Sequence, residues 1–153
     1  MPTKNFQAGV IEGGERLESE AMVEAILTDR QTCPNCPIFC RRVVKMEKPY
    51  ELSGIYGGPQ YETVAALGSM LLNTDPATIA KAHELCNRYG IDTISTGVCI
   101  AWAMECWERG IDLGRPLPWG MRRRSSWKVG QVSIPAYSAA AMESRPTEFP
   151  DKN

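Results

Sequence analysis

Apolar positions recur at helical spacing in four stretches of the chain and lose their period elsewhere. The clearest stretch follows Asp75, where Ile79, Ala82, Leu85, Cys86 and Tyr89 repeat with the period of an α-helix. Its ends carry local signals. Asp75 can accept from the first unpaired N–H groups, Pro76 takes the first helical position where a missing N–H is harmless, and Gly90 stops the helix in a left-handed conformation. A second helix is predicted from Asp92 or Thr93 to Arg109. Ile94, Val98, Ala101, Trp102, Glu105, Cys106 and Trp107 fall through it, and Gly110 ends it. Tyr61 to Leu72 predicts another, with Val64, Leu67, Gly68 and Leu71 on one face. Ser19 can cap a fourth, running to about Asp29, whose apolar side is Met22, Val23, Ala25 and Ile26.

The remaining segments read differently. Pro2, Gly9, Gly13 and Gly14 punctuate residues 1–17, which predicts extended chain or loop. Arg42 to Met46 predicts a short strand, and Ser53 to Gln60 a glycine loop ended by Pro59. Residues 121–153 are rich in Ser, Arg, Pro and Ala and show no period, which predicts a poorly ordered tail. No internal repeat stands out. The expected fold class is mainly α: a multihelical unit with a cysteine-rich loop and little or no β.

Composition narrows the function classes. The chain has 153 residues, enough for one domain with a real core, and a formal net charge of -1. As a whole it is therefore no electrostatic magnet for nucleic acid or an anionic membrane. No apolar run is long enough to span a bilayer, and the opening residues contain no continuous apolar segment of a secretory signal. Charge is uneven: residues 12–29 are acidic, whereas residues 114–130 carry Arg115, Arg122, Arg123, Arg124 and Lys128 with no acid. Six cysteines, three of them bunched in one loop, fit reduced thiols in the cytoplasm better than a disulfide scaffold.

Those three are Cys33, Cys36 and Cys40, spaced C-x-x-C-x-x-x-C, with Pro34 and Pro37 stiffening the loop. Thiolates are soft charged ligands, and three at this spacing suit three corners of a cubane iron–sulfur cluster. Arg41, Arg42, Lys45 and Lys48 follow directly and would offset a cluster's negative charge. Structural zinc is the second reading, with Cys86, His83, Cys99 or Cys106 as a fourth ligand, although no second C-x-x-C exists. Three free thiols are the third. Spacing alone leaves all three open.

Two further segments carry a resemblance. Residues 57–69, Gly-Gly-Pro-Gln-Tyr-Glu-Thr-Val-Ala-Ala-Leu-Gly-Ser, and residues 86–110, from Cys86 through the Gly90-Ile91-Asp92 turn to Gly110, resemble the aldehyde:ferredoxin oxidoreductases. These are tungsten- or molybdenum-pterin enzymes. With the cysteine loop, three motifs stand in the family's order over residues 1–120. The resemblance implies a [4Fe–4S] cluster on Cys33, Cys36 and Cys40, and a pterin contact through Asn87, Gly90, Ile91 and Asp92. It implies Glu62 as an acid near the metal. It implies aldehyde as substrate and ferredoxin or a similar protein as electron acceptor. His83 is expected to play a surface or packing role, Trp102, Met104 and Trp107 to pack helices, and Cys99 and Cys106 to be small core residues.

The match also departs from the family. Gln60 stands where the family commonly has Glu, and Asn87 where it has Asp. The family's protein is several times longer. The resemblance therefore implies a fragment of the central cluster-bearing helical domain, with the pterin base, the second pterin motif and the fourth cluster cysteine lying in sequence not present here. Alone it is expected to be inactive. The alternatives are one chain of a split enzyme, with a separate chain supplying the missing domains, or a non-catalytic iron–sulfur or zinc module. Residues 121–153 also depart. One possible coding of Met121 to Ser125, shifted by one nucleotide, reads Asp-Ala-Glu-Ala-Val as the family would continue, so this tail is expected to be frameshifted.

Overall fold

A computed structural model of the chain describes residues 1–114 and 116–120. The expectations for residues 121–153 lie outside the described residues. Within them the architecture is mainly α. The elements are α1 (Ser19–Ile26), β1 (Leu27–Gln31), β2 (Arg41–Val44), α2 (Tyr61–Leu67), α3 (Pro76–Tyr89) and α4 (Thr93–Glu108), with short 3₁₀ turns at Gly14–Leu17 and Ser69–Leu71. The only sheet among the described residues is the antiparallel pair β1–β2, with Leu27 opposite Val44 and Gln31 opposite Arg41.

α3 forms where its local signals put it. The Asp75 carboxylate accepts from Ala77 N–H at 3.3 Å and from the Thr78 hydroxyl at 2.6 Å. At the other end Gly90, at φ 67°, donates to the Asn87 carbonyl, and Ile91 N–H returns to the Cys86 carbonyl at 2.8 Å. This paired closure satisfies carbonyls the helix leaves free, and it needs a left-handed residue at Gly90. Three residues later α4 begins, capped by Asp92 accepting from Ser95 N–H at 2.6 Å.

Three expected boundaries shift, each for a non-local reason. α1 stops at Ile26 rather than Asp29, because Leu27–Gln31 is drawn into pairing with Arg41–Val44. β2 ends at Val44, and Met46 instead bridges to Leu52. The helix expected to reach Leu72 ends at Leu67: Asn73 Nδ2 donates to the Leu67 carbonyl at 3.1 Å and Asn73 N–H to the Gly68 carbonyl at 2.9 Å, folding the chain back through a 3₁₀ turn.

The core has two parts that meet at α2. One joins Leu17, Met22, Ile26, Val44, Leu52, Val64, Leu67, Ile79 and Ala80; the other joins Met70, Leu71, Ile100, Ala101, Ala103, Met104 and Leu117. Complete burial of a side chain such as Ile79 stabilises the fold by roughly 1.5–3 kcal/mol. α4 packs through small residues. A Cβ built on Gly97 would lie 2.4 Å from the Ala66 carbonyl oxygen, so α2 and α4 approach closely only because Gly97 has none. That approach decides the orientation of α4. Ile94, Val98, Cys99, Trp102 and Trp107 face outward, so Cys99, Trp102 and Trp107 are not core or packing residues among the described ones, whereas Cys106 is buried. Lys4 pairs with Glu108 at 2.8 Å, tying the amino-terminal segment to the far end of α4.

Candidate functional site

The glycine loop at residues 53–60 is the hub to which the sequence motifs attach. On one side it lies against β2: Gly58 N–H donates to the Arg42 carbonyl at 2.7 Å, Arg42 Nη1 to the Pro59 carbonyl at 3.1 Å, and Arg41 Nη2 to the Ile55 carbonyl at 3.4 Å. The two guanidinium groups following the cysteine loop thus bind loop carbonyls. On another side the Tyr56 carbonyl lies 3.4 Å from His83 Nε2. At its end the loop feeds α2, whose first turn carries Glu62, exposed.

His83 is buried and sits between this loop and the turn after α3. A carbonyl can only accept, so Nε2 carries the proton and Nδ1 is the acceptor. Asn87 Nδ2 lies nearer Nδ1, at 3.2 Å against 3.4 Å from Nε2, and also donates to the His83 carbonyl at 2.8 Å. Burial pushes the imidazole below its ordinary pKa, against the opposing pull of the Tyr56 carbonyl and Glu84. The amide of Asn87 is therefore oriented by His83, with its oxygen left over as an acceptor. A surface or packing role for His83 was expected; it is buried, and the bridge was not expected. Its signal in the sequence is the i, i+4 spacing of the only histidine to Asn87.

Asn87, Gly90, Ile91 and Asp92 share one exposed turn, Ile91 being half-buried. A Cβ on Gly90 would meet nothing within 4 Å, so the surface over the turn is open there. The Asp92 carboxylate is held below its usual pKa by the N–H groups and hydroxyl of the helix start, Ser95 first. The structure also brings Glu62 near this turn. Thr63 and Thr93 hydroxyls lie 2.8 Å apart, so the first turns of α2 and α4 stand side by side, with Glu62 and Asp92 each one residue before the contact. Exposed acceptors beside an open backbone suit a flat polar ring bearing N–H donors.

The cysteine loop, residues 32–40, crowns the β1–β2 hairpin. Cys33 and Cys40 are exposed, Cys36 half-buried, and all three are free. As a donor set, three accessible thiols on one nine-residue loop suit a thiophilic centre in kind. Among the described residues no three His, Cys, Asp or Glu side chains are gathered closely enough to hold a metal ion. Also among them, no helix is long and apolar enough to cross a membrane.

Comparison with known proteins adds the family. The family model described as "Aldehyde ferredoxin oxidoreductase, domains 2 & 3" matches residues 1–131, eleven residues past the boundary expected from the motifs. The tungsten-containing aldehyde ferredoxin oxidoreductase of Thermococcus kodakarensis is 42% identical over 125 residues, covering 78% of this chain and 20% of that protein. That of Pyrococcus furiosus is 42% identical over 109 residues, 71% of this chain and 17% of its own. The WOR-like subunit of an aliphatic sulfonate oxidoreductase from Pyrococcus furiosus is 36% identical over 90 residues, 56% of this chain and 14% of its own. The chain thus spans between about a seventh and a fifth of the length of these relatives. With its cysteine hairpin, glycine loop and Gly90 turn all inside the matched region, this chain belongs to the aldehyde ferredoxin oxidoreductase family.

Proposed function

We propose that this chain holds the cluster-side half of a pterin–metal redox centre, with its three motifs carried by residues 1–120. Cys33, Cys36 and Cys40, not gathered as described, would be drawn together by the loop to hold three irons of a [4Fe–4S] cluster, the fourth ligand coming from sequence beyond this chain. Asn87, Gly90, Ile91 and Asp92 would bind one edge of a tungsten- or molybdenum-pterin. When bound, the pterin–metal would supply the oxidation of an aldehyde to its acid, and the cluster would supply one-electron transfer toward ferredoxin.

The chain's own residues have definable tasks. Asn87 offers its oxygen to a ring N–H, because its nitrogen is committed to His83. Asp92 offers an anionic acceptor at the start of α4. Glu62, an exposed carboxylate on the adjoining helix turn, can take or return a proton on the substrate side. The observation that carries this reading is that the glycine loop joins the neighbours of the other two motifs, through Gly58–Arg42 beside the cysteine loop and Tyr56–His83 before the Gly90 turn, and runs on into α2. The complete reaction is proposed only together with the further sequence that the relatives carry, on this or a separate chain. The outward Ile94, Val98 and Trp102 of α4 support such a covering neighbour.

Anaerobic incubation of the reduced chain with ferrous iron and sulfide tests the cluster. The expected product is brown, holds up to about four irons per chain, and loses most of its visible absorption in each of Cys33→Ser, Cys36→Ser and Cys40→Ser. A chain that stays colourless and iron-free, or binds zinc alone, would overturn the reading in favour of a non-catalytic module.

A further inference from the structure

The cysteine loop contains a turn with chemistry of its own. Cys36 N–H donates to the Cys33 carbonyl at 3.0 Å, which closes Cys33-Pro34-Asn35-Cys36 into a four-residue turn. Pro34 holds the second position with its fixed φ, and Asn35 the third with φ 62°, the residue pattern of a type II turn. The Thr32 hydroxyl lies against the same two residues, 3.2 Å from the Cys33 carbonyl and in contact with that of Cys36. Both thiols are free and neither is fully buried. A turn closed in this way keeps its first and fourth Cα atoms within about 7 Å. A disulfide spans Cα separations of about 4.4–6.8 Å. Cys40 has no comparable tie to Cys36. Phe39, left-handed at φ 53°, lies immediately before it, and Arg41, paired with Gln31, immediately after.

We propose that Cys33 and Cys36 form a reversible disulfide within this turn, leaving Cys40 as the free thiol, so that the loop acts as a thiol–disulfide switch on metal uptake. The disulfide stands on the turn geometry alone; its effect on metal uptake rests on the cluster reading above. The oxidant is a small-molecule disulfide such as oxidised glutathione. One cysteine sulfur attacks a sulfur of that disulfide, forming a mixed disulfide and releasing one glutathione thiol. The second cysteine then attacks the protein-side sulfur of the mixed disulfide, forming the Cys33–Cys36 bond and releasing the second thiol. Two electrons pass from the protein to the small disulfide, and the two cysteine protons end on the released thiols. Two of the three proposed cluster ligands are then withdrawn, because a metal takes the deprotonated thiol and not the disulfide.

The full 153-residue chain, purified reduced, is equilibrated anaerobically in glutathione buffers of rising oxidised fraction, trapped by alkylation and mapped by mass spectrometry. The expected result is loss of two hydrogen masses with a Cys33–Cys36 cross-link at oxidised fractions where Cys40 and the exposed Cys99 are still alkylated, those two taking only glutathione adducts at higher fractions, and full reversal by dithiothreitol. Cys36→Ser should replace the cross-link by a glutathione adduct on Cys33. Asn35→Gly should retain the cross-link, whereas Asn35→Val, β-branched at a left-handed position, should weaken its formation about tenfold. On exposure to iron and sulfide, the oxidised chain should take up about a tenth or less of the iron taken up by the reduced chain. Alkylation of Cys33 and Cys36 as complete as that of Cys99 at every glutathione ratio would overturn the proposal, as would a main cross-link through Cys40. Equal iron uptake by oxidised and reduced chains would overturn the switch. A reduced chain that binds no iron overturns the cluster reading instead, and the cross-link map still judges the disulfide.

Discussion

His83 shows how one side chain can couple two parts of the molecule. Its ring donates toward the glycine loop and accepts from Asn87, and it does so as the neutral imidazole. Burial lowers its pKa from the ordinary 6.5, so the unfolded chain takes up a proton that the folded chain resists. Stability from this residue is therefore complete above about pH 6.5 and falls as pH drops from there toward the lowered folded value. Asp92, Glu105 and Glu108 are held below their ordinary values of 3.8, 4.5 and 4.5, so their contributions are lost only in stronger acid. The two windows separate. Urea denaturation between pH 7 and 5 should show a declining midpoint in the natural chain and a flatter profile in His83→Gln. An equal slope in both would mean that the imidazole titrates freely in the folded state. Only the i, i+4 spacing to Asn87 was legible in the sequence; a lone histidine on a helix says nothing about the glycine loop that lies opposite it.

At the level of elements, legibility followed how local each cause is. α3 was readable to the residue because Asp75, Pro76 and Gly90 act within its own ends. The Gly90 turn was readable for the same reason, and with it the grouping of Asn87 and Asp92. α1 was overrun because the pull on Leu27–Gln31 comes from residues ten to seventeen positions away, which no local pattern encodes. α4 misled for another reason: it is apolar nearly all round, so its period carries little phase, and the large residues that looked like core point outward. Its true inner face is marked by a residue with no side chain. Gly97→Ala should lower stability by about 1–3 kcal/mol, because the added methyl meets the backbone of Ala66 and can be accommodated only by parting the helices. This clash outweighs the roughly 1 kcal/mol by which alanine favours an isolated helix. A raised urea midpoint in this variant would mean that α2 and α4 do not touch as described.

Across the whole molecule, the cysteine hairpin is rooted in the core while its tip is not. Ile26 and Val44 at its base are buried, whereas Thr28 to Gln31 of β1 are exposed, as are Ile38 and Phe39 at the tip. The amino-terminal side is fastened independently, by Lys4 N–H to the Ser69 carbonyl, Asn5 N–H to the Met70 carbonyl, and Leu17 and Met22 in the core. A specific protease site inserted between Ile38 and Phe39 and cut in the native chain should therefore leave two pieces that co-elute in gel filtration and part only in denaturant. Separation without denaturant would show that the tip, not its root, joins the halves. A tip fastened in this way can rearrange while the helices hold still. Loading it with metal would then add colour and magnetic signals but leave far-ultraviolet dichroism unchanged, and a polypeptide already folded could be furnished with its inorganic part afterwards.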